Sequence, residues 1–448
     1  MVDLNIAYIG GGSRNWARTL MNDLATCPDL NGEVRLYDID IEAARINERL
    51  ASIIWAQPEV CSHWHFRTFE SLPAALKGAD LVIISIQPGS LEQMAHEIAV
   101  AEKYGLFYPV GDTTGAPGLM RGLRSVITYA GFAEAIAEYA PDAWVINYTN
   151  PMTICTRTLT RVAPQIKAFG CCHEVFGTQI ILANLAQEIL GLEDLPTRDE
   201  IHVNVLGINH FTWIDRAEYR GHDLVALLRE YIQRPGILHT YTQEQVEAQS
   251  NWFYDPCQIK FTLFQRFGIL AAAGDRHLAE FVPGFIRSPD ELFRWGIIRT
   301  PVSWRMEVYK ESARLVEDLL AGRETFALRI TGEEAVRQIR SLFGLEDFIT
   351  NINMENQGQI TNLPLHSVVE TNACFSRDRV QPLVAGSLPL SVHGLVMRHV
   401  ANQEMIIEAA LTRDKALAFQ AVFNDPTVNL PIDRAWAMFN EIGFPDEW

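Results

Sequence analysis

The first half of the chain alternates short apolar runs with segments of helical spacing. Five apolar runs are typical of buried strands, at residues 5–9, 34–37, 80–86, 144–147 and 167–169. Helical spacing is found between them, before residue 26 and at residues 41–55 and 132–140. Strands covered on both faces carry almost no polar positions, and their alternation with helices predicts a doubly wound parallel sheet.

The pattern changes in the second half of the chain. Residues 200–208 alternate between polar and apolar positions, which is typical of an antiparallel or exposed strand, and residues 211–214 are expected to pair with them. Further strands are predicted at residues 348–353 and 367–371, and a long helical stretch at residues 392–422. We therefore predict a Rossmann-like α/β domain over residues 1–197 and a mixed α/β domain over residues 198–448.

Composition excludes several classes of protein. Among 448 residues, 48% are hydrophobic and 21% are charged, which argues against disorder. The net charge of −18, without a cluster of basic residues, argues against nucleic acid as a partner, and no apolar run is long enough to span a membrane. The seven cysteines are scattered and odd in number, so no disulfide framework is expected. With no visible signal peptide, we expect a cytoplasmic protein.

A glycine-rich turn follows the first predicted strand. Gly10, Gly11, Gly12 and Ser13 stand between that strand and a helix, and Asp38 ends the second strand. Such glycines let the backbone approach a pyrophosphate at a helix N-terminus, and the acidic residue accepts hydrogen bonds from a ribose. The third glycine of the full motif is absent, and the alternative is a plain tight turn. We predict a site for NAD⁺.

Two Cys/His-bearing segments follow strands. Cys172 and His173 come directly after the last parallel strand, and His210 follows the next strand of the chain. A thiolate and an imidazole can hold a borderline divalent metal such as Mn²⁺, so Cys172 and His210 are candidate ligands. The alternative for His210 is a buried histidine of the core.

Two further loops carry candidate substrate contacts. Asn150 precedes a proline after the strand at residues 144–147, where the alternative is an ordinary turn. The glycine-rich segment at residues 111–118 carries Asp112, and it is expected to be either a loop over the substrate or a mobile surface loop.

A dense group of ionisable residues lies at 274–280. Its sequence, Gly-Asp-Arg-His-Leu-Ala-Glu, is flanked by apolar residues. The functional interpretation gives His277 a proton-transfer role and Arg276 a contact with an anion. The alternative is a solvated helix start capped by Asp275.

Together these motifs resemble glycoside hydrolase family 4 over essentially the whole chain. The stretch at residues 170–179, which contains Cys172-His173-Glu174-Val175, resembles its α-galacturonidase group. The resemblance implies NAD⁺ and a divalent metal such as Mn²⁺, with Cys172 and His210 as metal ligands and Asn150 as a substrate contact. His173 stands where other members have a proposed acid, an aspartate, and His277 where they have a tyrosine base. A uronic acid glycoside is the implied substrate, and a dimer or larger homo-oligomer the implied assembly.

The implied reaction is hydrolysis through transient oxidation at C3, loss of the C2 proton, elimination and addition of water. Three alternatives remain open. The chain could be another family 4 α-glycosidase, namely an α-glucuronidase or an α-galactosidase. It could also be an NAD-dependent hydroxy-acid dehydrogenase, or a non-catalytic protein that senses NAD.

Overall fold

The N-terminal part of the protein forms an alternating α/β unit. The computed structural model describes residues 1–445, so the last three residues of the predicted second domain lie outside the described part. The first six strands are β1 (Val2–Ile9), β2 (Leu30–Tyr37), β3 (Trp64–Thr68), β4 (Leu81–Ile84), β5 (Trp144–Asn147) and β6 (Lys167–Gly170). The first seven helices are α1 (Trp16–Ala25), α2 (Ile41–Ile54), α3 (Leu72–Leu76), α4 (Leu91–Lys103), α5 (Gly115–Tyr139), α6 (Met152–Val162) and α7 (Glu174–Leu190).

After a 3₁₀ turn at Arg198–Glu200, strands and helices are no longer in alternation. The remaining strands are β7 (His202–Ile208), β8 (Phe211–Tyr219), β9 (His222–Asp223), β10 (Leu270–Ala271), β11 (Phe348–Glu355), β12 (Val368–Ser376) and β13 (Arg379–Pro382). The remaining helices are α8 (Leu224–Tyr231), α9 (Gln243–Glu247), α10 (Gln258–Phe267), α11 (Asp275–Phe281), α12 (Pro289–Arg294), α13 (Val302–Leu320), α14 (Ala335–Leu342), α15 (Leu390–Thr412), α16 (Lys415–Asn424) and α17 (Ile432–Ile442).

All of these strands belong to one sheet. The first six are parallel in the order β3-β2-β1-β4-β5-β6, which confirms the predicted Rossmann-like doubly wound fold. Beyond β6 the sheet continues through β11, β12, β7, β8 and β10, and every pair from β6 outward is antiparallel. The mixed α/β character expected of the second half is therefore also confirmed.

One register runs across most of the sheet. A row of directly paired residues passes from β1 to β8: Ile9, Ile84, Asn147, Gly170, Asn353, Glu370, Gly207 and Thr212. We call it the transverse row. It lies at the carboxyl ends of the central parallel strands and close to the turn between β7 and β8. Loops that follow these strands therefore meet along one edge, although their sequence positions are far apart.

The secondary structure differs from the sequence prediction in three places: one strand was missed, and two helices have other bounds than expected. Strand β3 was not predicted, because Trp64–Thr68 alternates between buried and exposed positions instead of forming an apolar run. Helix α5 begins at Gly115 and not near residue 132, so the second half of the glycine-rich segment is a buried helix start and not a mobile surface loop. The helical stretch at residues 392–422 is broken at Arg413, whose φ of 58° ends α15.

Among the described residues, the buried hydrophobic side chains form four clusters around this sheet. Helices α5 and α6 pack against each other, and α5 also packs on α15, so the C-terminal helices cover the same face as the central helices of the parallel half. Among residues 1–445, no helix is long and apolar enough to cross a membrane. All seven cysteines are free thiols.

Candidate active site

The glycine turn after β1 is tightly enclosed by its neighbours. Gly10 has a φ of 94°, and a Cβ there would lie 2.0 Å from the Ser85 carbonyl oxygen. A Cβ on Gly12 would lie 2.9 Å from Asp38 Oδ2, the same oxygen that accepts a hydrogen bond from the Gly12 amide at 2.8 Å. Glycine is therefore required at both positions, and Asp38 lies at the mouth of the turn.

A buried asparagine on α2 fixes the backbone of this turn by hydrogen bonds. Asn47 Nδ2 donates to the carbonyl oxygens of Gly11 and Ser13, at 2.8 and 2.9 Å. Its side chain is fully buried. Helix α1 begins just beyond, at Trp16, and the side chain of its N-cap residue accepts no hydrogen bond from the helix. Amide groups at that N-terminus remain available for an anion.

The loop after β5 is fixed by Asn147. Its Oδ1 accepts hydrogen bonds from the Tyr129 hydroxyl at 2.6 Å and from the Thr149 amide at 3.0 Å. Asn150 follows, and its backbone carbonyl accepts a hydrogen bond from Arg121 Nε at 3.0 Å. The side-chain Oδ1 of Asn150 is buried without a partner. A buried acceptor in this state is suited to a ligand hydroxyl or amide.

Asp112, His210 and His277 meet beyond the transverse row. One ligating atom from each of them lies within 4.8 Å of the others. The rings of His210 and His277 stack with centroids 3.8 Å apart. His210 occupies the two-residue turn between β7 and β8 with a φ of 61°, an unusual conformation for a non-glycine residue. Its Nδ1 pairs with the Thr113 hydroxyl at 2.8 Å, which leaves Nε2 for another partner.

Two buried acidic side chains anchor the loop that carries Asp112. Glu280 Oε1 accepts hydrogen bonds from the amides of Val110 and Gly111, at 2.6 and 2.8 Å. On the other side, Asp425 Oδ2 accepts from the Thr114 hydroxyl and the Gly115 amide, each at 3.1 Å. The segment is thus held rigidly at both ends, and its position depends on α11 and on the residue that follows α16.

The electrostatics of the cluster are set by its histidines and by burial. Burial and the neighbouring His277 lower the pKa of His210 to about 3, so its imidazole is neutral near pH 7. Burial alone would raise the pKa of Glu174, but the electrostatic interaction with the imidazole rings of His277 and His210 outweighs it and lowers the pKa to about 2. Glu174 Oε1 lies 3.6 Å from His277 Nε2. The pKa of Asp112 is likewise lowered, against burial, by His277 and by Arg305.

Cys172 lies beside this cluster but outside it. Within residues 1–445, the cluster of mutually close ligating atoms contains Asp112, His210 and His277 only. Burial and the charge of Glu370 raise the pKa of the Cys172 thiol well above its usual range. Glu370 also accepts hydrogen bonds from Asn209, at 3.2 Å, and from Asn351, at 2.7 Å, and Asn351 donates to the Cys172 carbonyl. This network ties the two segments that carry the predicted ligands.

His173 and Arg276 have different surroundings. His173 is half-exposed, stacks on Trp16 with centroids 6.0 Å apart, and lies 3.3 Å from a Glu333 carboxylate oxygen, which raises its pKa. Arg276 is buried, donates to the Trp252 carbonyl oxygen, and lies over the Phe253 ring. Helix α11 is buried along its whole length, so the alternative of a solvated helix start is wrong. Asp275 instead accepts hydrogen bonds from the first amides of α10.

Several residues of this region were not singled out in the sequence. They are Asn47, Arg121, Glu174, Arg305 and Glu370. Glu174 was within reach of sequence analysis, because it belongs to the Cys-His-Glu-Val motif. The others gave no signal, since a single polar residue on a helix or strand is ordinary in a sequence, and only the sheet register and helix packing bring these residues to the site.

Comparison with known proteins agrees with this geometry. The family model described as family 4 glycosyl hydrolase matches residues 5–188, and that of the family's C-terminal domain matches residues 205–428. The chain belongs to glycosyl hydrolase family 4.

Relatives of known name are similar over nearly the whole chain. An α-galacturonidase of Thermoanaerobacterium saccharolyticum is 48% identical, covering 98% of this chain and 95% of its own. The solved structure of LplD from Bacillus subtilis is 45% identical, with a TM-score of 0.91 over 98% of this chain and 100% of its own. A 6-phospho-α-glucosidase from gut microorganisms, solved in complex with NAD and Mn²⁺, shares the fold at 19% identity, with a TM-score of 0.77 over 98% of this chain and 97% of its own.

Proposed function

We propose that this protein is an α-galacturonidase that depends on NAD⁺ and a divalent metal such as Mn²⁺. The observation that carries the proposal is the meeting of Asp112, His210 and His277 at the edge of the sheet that also bears the glycine turn. The similarity to α-galacturonidases over nearly the full length supports the choice of sugar. An α-glucuronidase or α-galactosidase is the remaining alternative.

The glycine turn fits a dinucleotide. Gly10, Gly11, Gly12 and Ser13 leave space for a pyrophosphate at the start of α1, and any Cβ on the first three would collide with protein atoms. We propose that Asp38 accepts hydrogen bonds from the adenosine ribose and so favours NAD⁺ over NADP⁺. NAD⁺, when bound, supplies a reversible hydride acceptor for C3 of the sugar.

The cluster fits a divalent metal. His210 presents a neutral imidazole, and Asp112 adds a carboxylate oxygen within reach of it. These donors, with the Cys172 thiolate, suit a borderline cation. We propose Cys172 and His210 as its ligands. The ion, when bound, stabilises negative charge on the sugar oxygens at C2 and C3.

His277 is the proposed base at C2. Its Nδ1 is buried without a hydrogen-bond partner, and its Nε2 faces Glu174 at 3.6 Å. A proton taken from C2 at Nδ1 creates an imidazolium, which the ionised Glu174 carboxylate stabilises. The same atom returns the proton later in the cycle, so His277 acts as base and then as acid.

His173 is the proposed acid for the leaving group. Glu333 raises its pKa by hydrogen-bonding the protonated ring. A protonated imidazole can donate to the glycosidic oxygen as the bond to C1 breaks. Asn150, with its unpaired Oδ1, is the proposed contact for a sugar hydroxyl.

An assay with an aryl α-galacturonide tests the function. Purified protein incubated with NAD⁺ and Mn²⁺ is expected to release the aglycone without net accumulation of NADH, because the hydride returns to the sugar. Release from an aryl α-glucuronide or α-galactoside at a higher kcat/KM would instead assign the alternative substrate. No aglycone release from any of the three would contradict the proposed function.

We also propose that the protein works in the cytoplasm as a dimer or larger homo-oligomer. Its thiols are free, and the predicted ligand Cys172 must stay reduced to bind a metal. Light scattering on the eluted protein tests the assembly, and a monomer at micromolar concentration would contradict it.

A further inference from the structure

Helix α13 runs across the active site, from the loop that carries Asp112 (the sugar-binding side) to the residues that follow the glycine turn (the nucleotide-binding side). Just before it, the Thr300 amide donates to the Pro109 carbonyl at 3.1 Å, beside the loop that carries Asp112. Further along, Arg14 donates to the Tyr309 carbonyl, and Arg18 to the Ser312 hydroxyl. The first turn of α13 therefore lies over the cluster, and later turns lie over the glycine turn.

Arg305 projects from that first turn without a protein partner. Among the residues described, no side chain or carbonyl accepts a hydrogen bond from its guanidinium group, and its Nε is buried. Arg305 is partly buried, and its Nε is shut off from water without a partner, which costs free energy because the lost hydration is not replaced by a hydrogen bond. An anionic ligand would supply the missing acceptors in a planar, two-point contact.

The other arginines near the cluster are already engaged. Arg121 donates to the Asn150 carbonyl and to Gln87, and Arg276 donates to the Trp252 carbonyl while lying over the Phe253 ring. The bond of Thr300 to Pro109 brings the first turn of α13, and with it Arg305, beside the loop that carries Asp112. In agreement with this position, the charge of Arg305 contributes to lowering the pKa values of Asp112, Arg121 and Arg276. Of these three arginines, Arg305 is the one whose guanidinium donates no hydrogen bond to the described part of the protein, whereas Arg276, whose Nε also lacks a partner, keeps its bond to the Trp252 carbonyl.

We propose that Arg305 binds the carboxylate of the uronic acid and so selects a galacturonide over a neutral galactoside. The inference rests on the proposed function, and it names a residue in place of Arg276 for this task. The anion is a sugar carboxylate and not the NAD⁺ pyrophosphate. The charged groups that Arg305 acts on belong to the sugar-binding side, whereas Arg14 and Arg18 are the arginines beside the glycine turn.

Binding of two sugars that differ only at C6 tests the proposal. Dissociation constants for galacturonic acid and galactose are measured with NAD⁺ and Mn²⁺ present, in the wild type and in Arg305→Gln. The preference for galacturonic acid is expected to fall roughly 10- to 150-fold, because this is the usual effect of losing hydrogen bonds to a charged group. Arg305→Lys, which keeps the charge without the planar fork, is expected to lose less.

The matched control is Arg314→Gln, which removes the same charge from an exposed position of α13 and is expected to keep the wild-type preference. Equal weakening of both sugars, a changed dissociation constant for NAD⁺, or loss of the preference in Arg276→Gln but not in Arg305→Gln would overturn the assignment. If the wild type itself binds galacturonic acid no better than galactose, the proposed function fails and not merely the role of Arg305. Should Arg305→Gln not fold, Arg305→Lys carries the same comparison.

Discussion

The parallel and antiparallel regions of this sheet build their parts of the site in different ways. In the parallel region, each contributing loop directly follows its strand, as Gly10–Ser13 follows β1 and Asn150 follows β5. In the antiparallel region, the contributors come from a hairpin turn, a buried helix and a helix that crosses the cleft: His210, His277 and Arg305. The first arrangement follows from the fold, and the second depends on register and packing.

This difference explains how the two regions can specialise. A nucleotide turn works with backbone amides and glycines, which any Rossmann-like sheet supplies at the end of its first strand. The sugar and metal chemistry needs side chains at fixed separations, and here buried carboxylates such as Glu280, Asp425 and Glu370 hold the segments in place. Variants of the side chains in the metal and sugar sites should therefore stop chemistry while sparing NAD⁺ binding, whereas variants at the glycine turn and Asp38 should weaken NAD⁺ binding itself.

The largest difference between the loss of turnover and the loss of NAD⁺ binding is expected for variants of the metal site. Cys172→Ser, or treatment with a chelator, should abolish turnover, and added Mn²⁺ should rescue the chelated wild type. The loss should exceed the roughly 10- to 100-fold cost of removing an outer partner of a metal ligand. NAD⁺ binding, measured by calorimetry, should be unchanged. The control is Cys171→Ser, because that neighbouring thiol hydrogen-bonds Gln338. Full turnover by Cys172→Ser in metal-free buffer would contradict the assignment.

A smaller but still large effect is expected at the base. Hydrolysis in D₂O should place deuterium at C2 of the released sugar, because the proposed route moves the C2 proton to His277, whose ring exchanges it with solvent before a proton is returned to C2. His277→Ala should slow this exchange by roughly 10²- to 10⁴-fold, the usual contribution of a general base, and should leave NAD⁺ affinity intact. Mass spectrometry of the product measures the label. Unlabelled product formed at full rate would rule out the C2 proton transfer.

On the parallel side, Asp38→Ala should weaken the binding of NAD⁺ by roughly 10-fold, because it removes one charge-assisted hydrogen bond at a partly exposed position. It should also reduce the preference for NAD⁺ over NADP⁺, since the carboxylate repels a 2′-phosphate. Fluorescence titration with both nucleotides measures this, and Mn²⁺ binding serves as the internal control. An unchanged ratio of the two affinities would show that Asp38 does not contact the ribose.

The smallest effect is expected on stability. Burial raises the pKa of Glu280 to about 8, above that of the same carboxyl in the unfolded chain, so the folded protein binds this proton more tightly. Stability from this group is therefore greatest in acid and is lost as the pH rises toward 8. Glu280→Gln keeps an oxygen for the two amides and carries no ionisable proton. The difference in melting temperature between this variant and the wild type should therefore be roughly 1–3 °C more favourable to the variant at pH 8.5 than at pH 5.5. The exposed Glu244→Gln should show no such difference, and equal shifts in both variants would contradict the prediction.

The parallel half was the more predictable from the sequence. Apolar runs identified β1, β2, β4, β5 and β6, because strands buried on both faces have a strong composition signal. Strand β3 was missed because one of its faces is solvated. The glycine turn and its acidic partner were also readable, since their spacing is local. These signals depend only on residues near one another in the chain.

The antiparallel half of the site was only partly predictable. His210 and His277 were found as unusual polar residues, but nothing local showed that their rings would stack or that Asp112 would join them. Arg305 gave no signal, because one arginine in a polar helix is ordinary. Its position depends on the path of α13, and that path is set by packing between segments hundreds of residues apart.

The order of strands also has a consequence for how the chain is made. Strands β6 and β7 are close in sequence, yet in the sheet they are separated by β11 and β12, which span residues 348–376. A growing chain that has emerged only as far as β8 leaves the backbone groups of β6 without their final neighbour. At about 5–20 residues per second, the missing hairpin follows on the order of 10–30 seconds later.

During that interval β6 is an exposed edge that other chains can pair with. Truncated chains that end before residue 348 would keep that edge permanently open and would be prone to aggregate, even though they contain every strand of the Rossmann-like half. The sheet that aligns the active site thus makes completion of the nascent Rossmann-like half dependent on segments that are synthesised late.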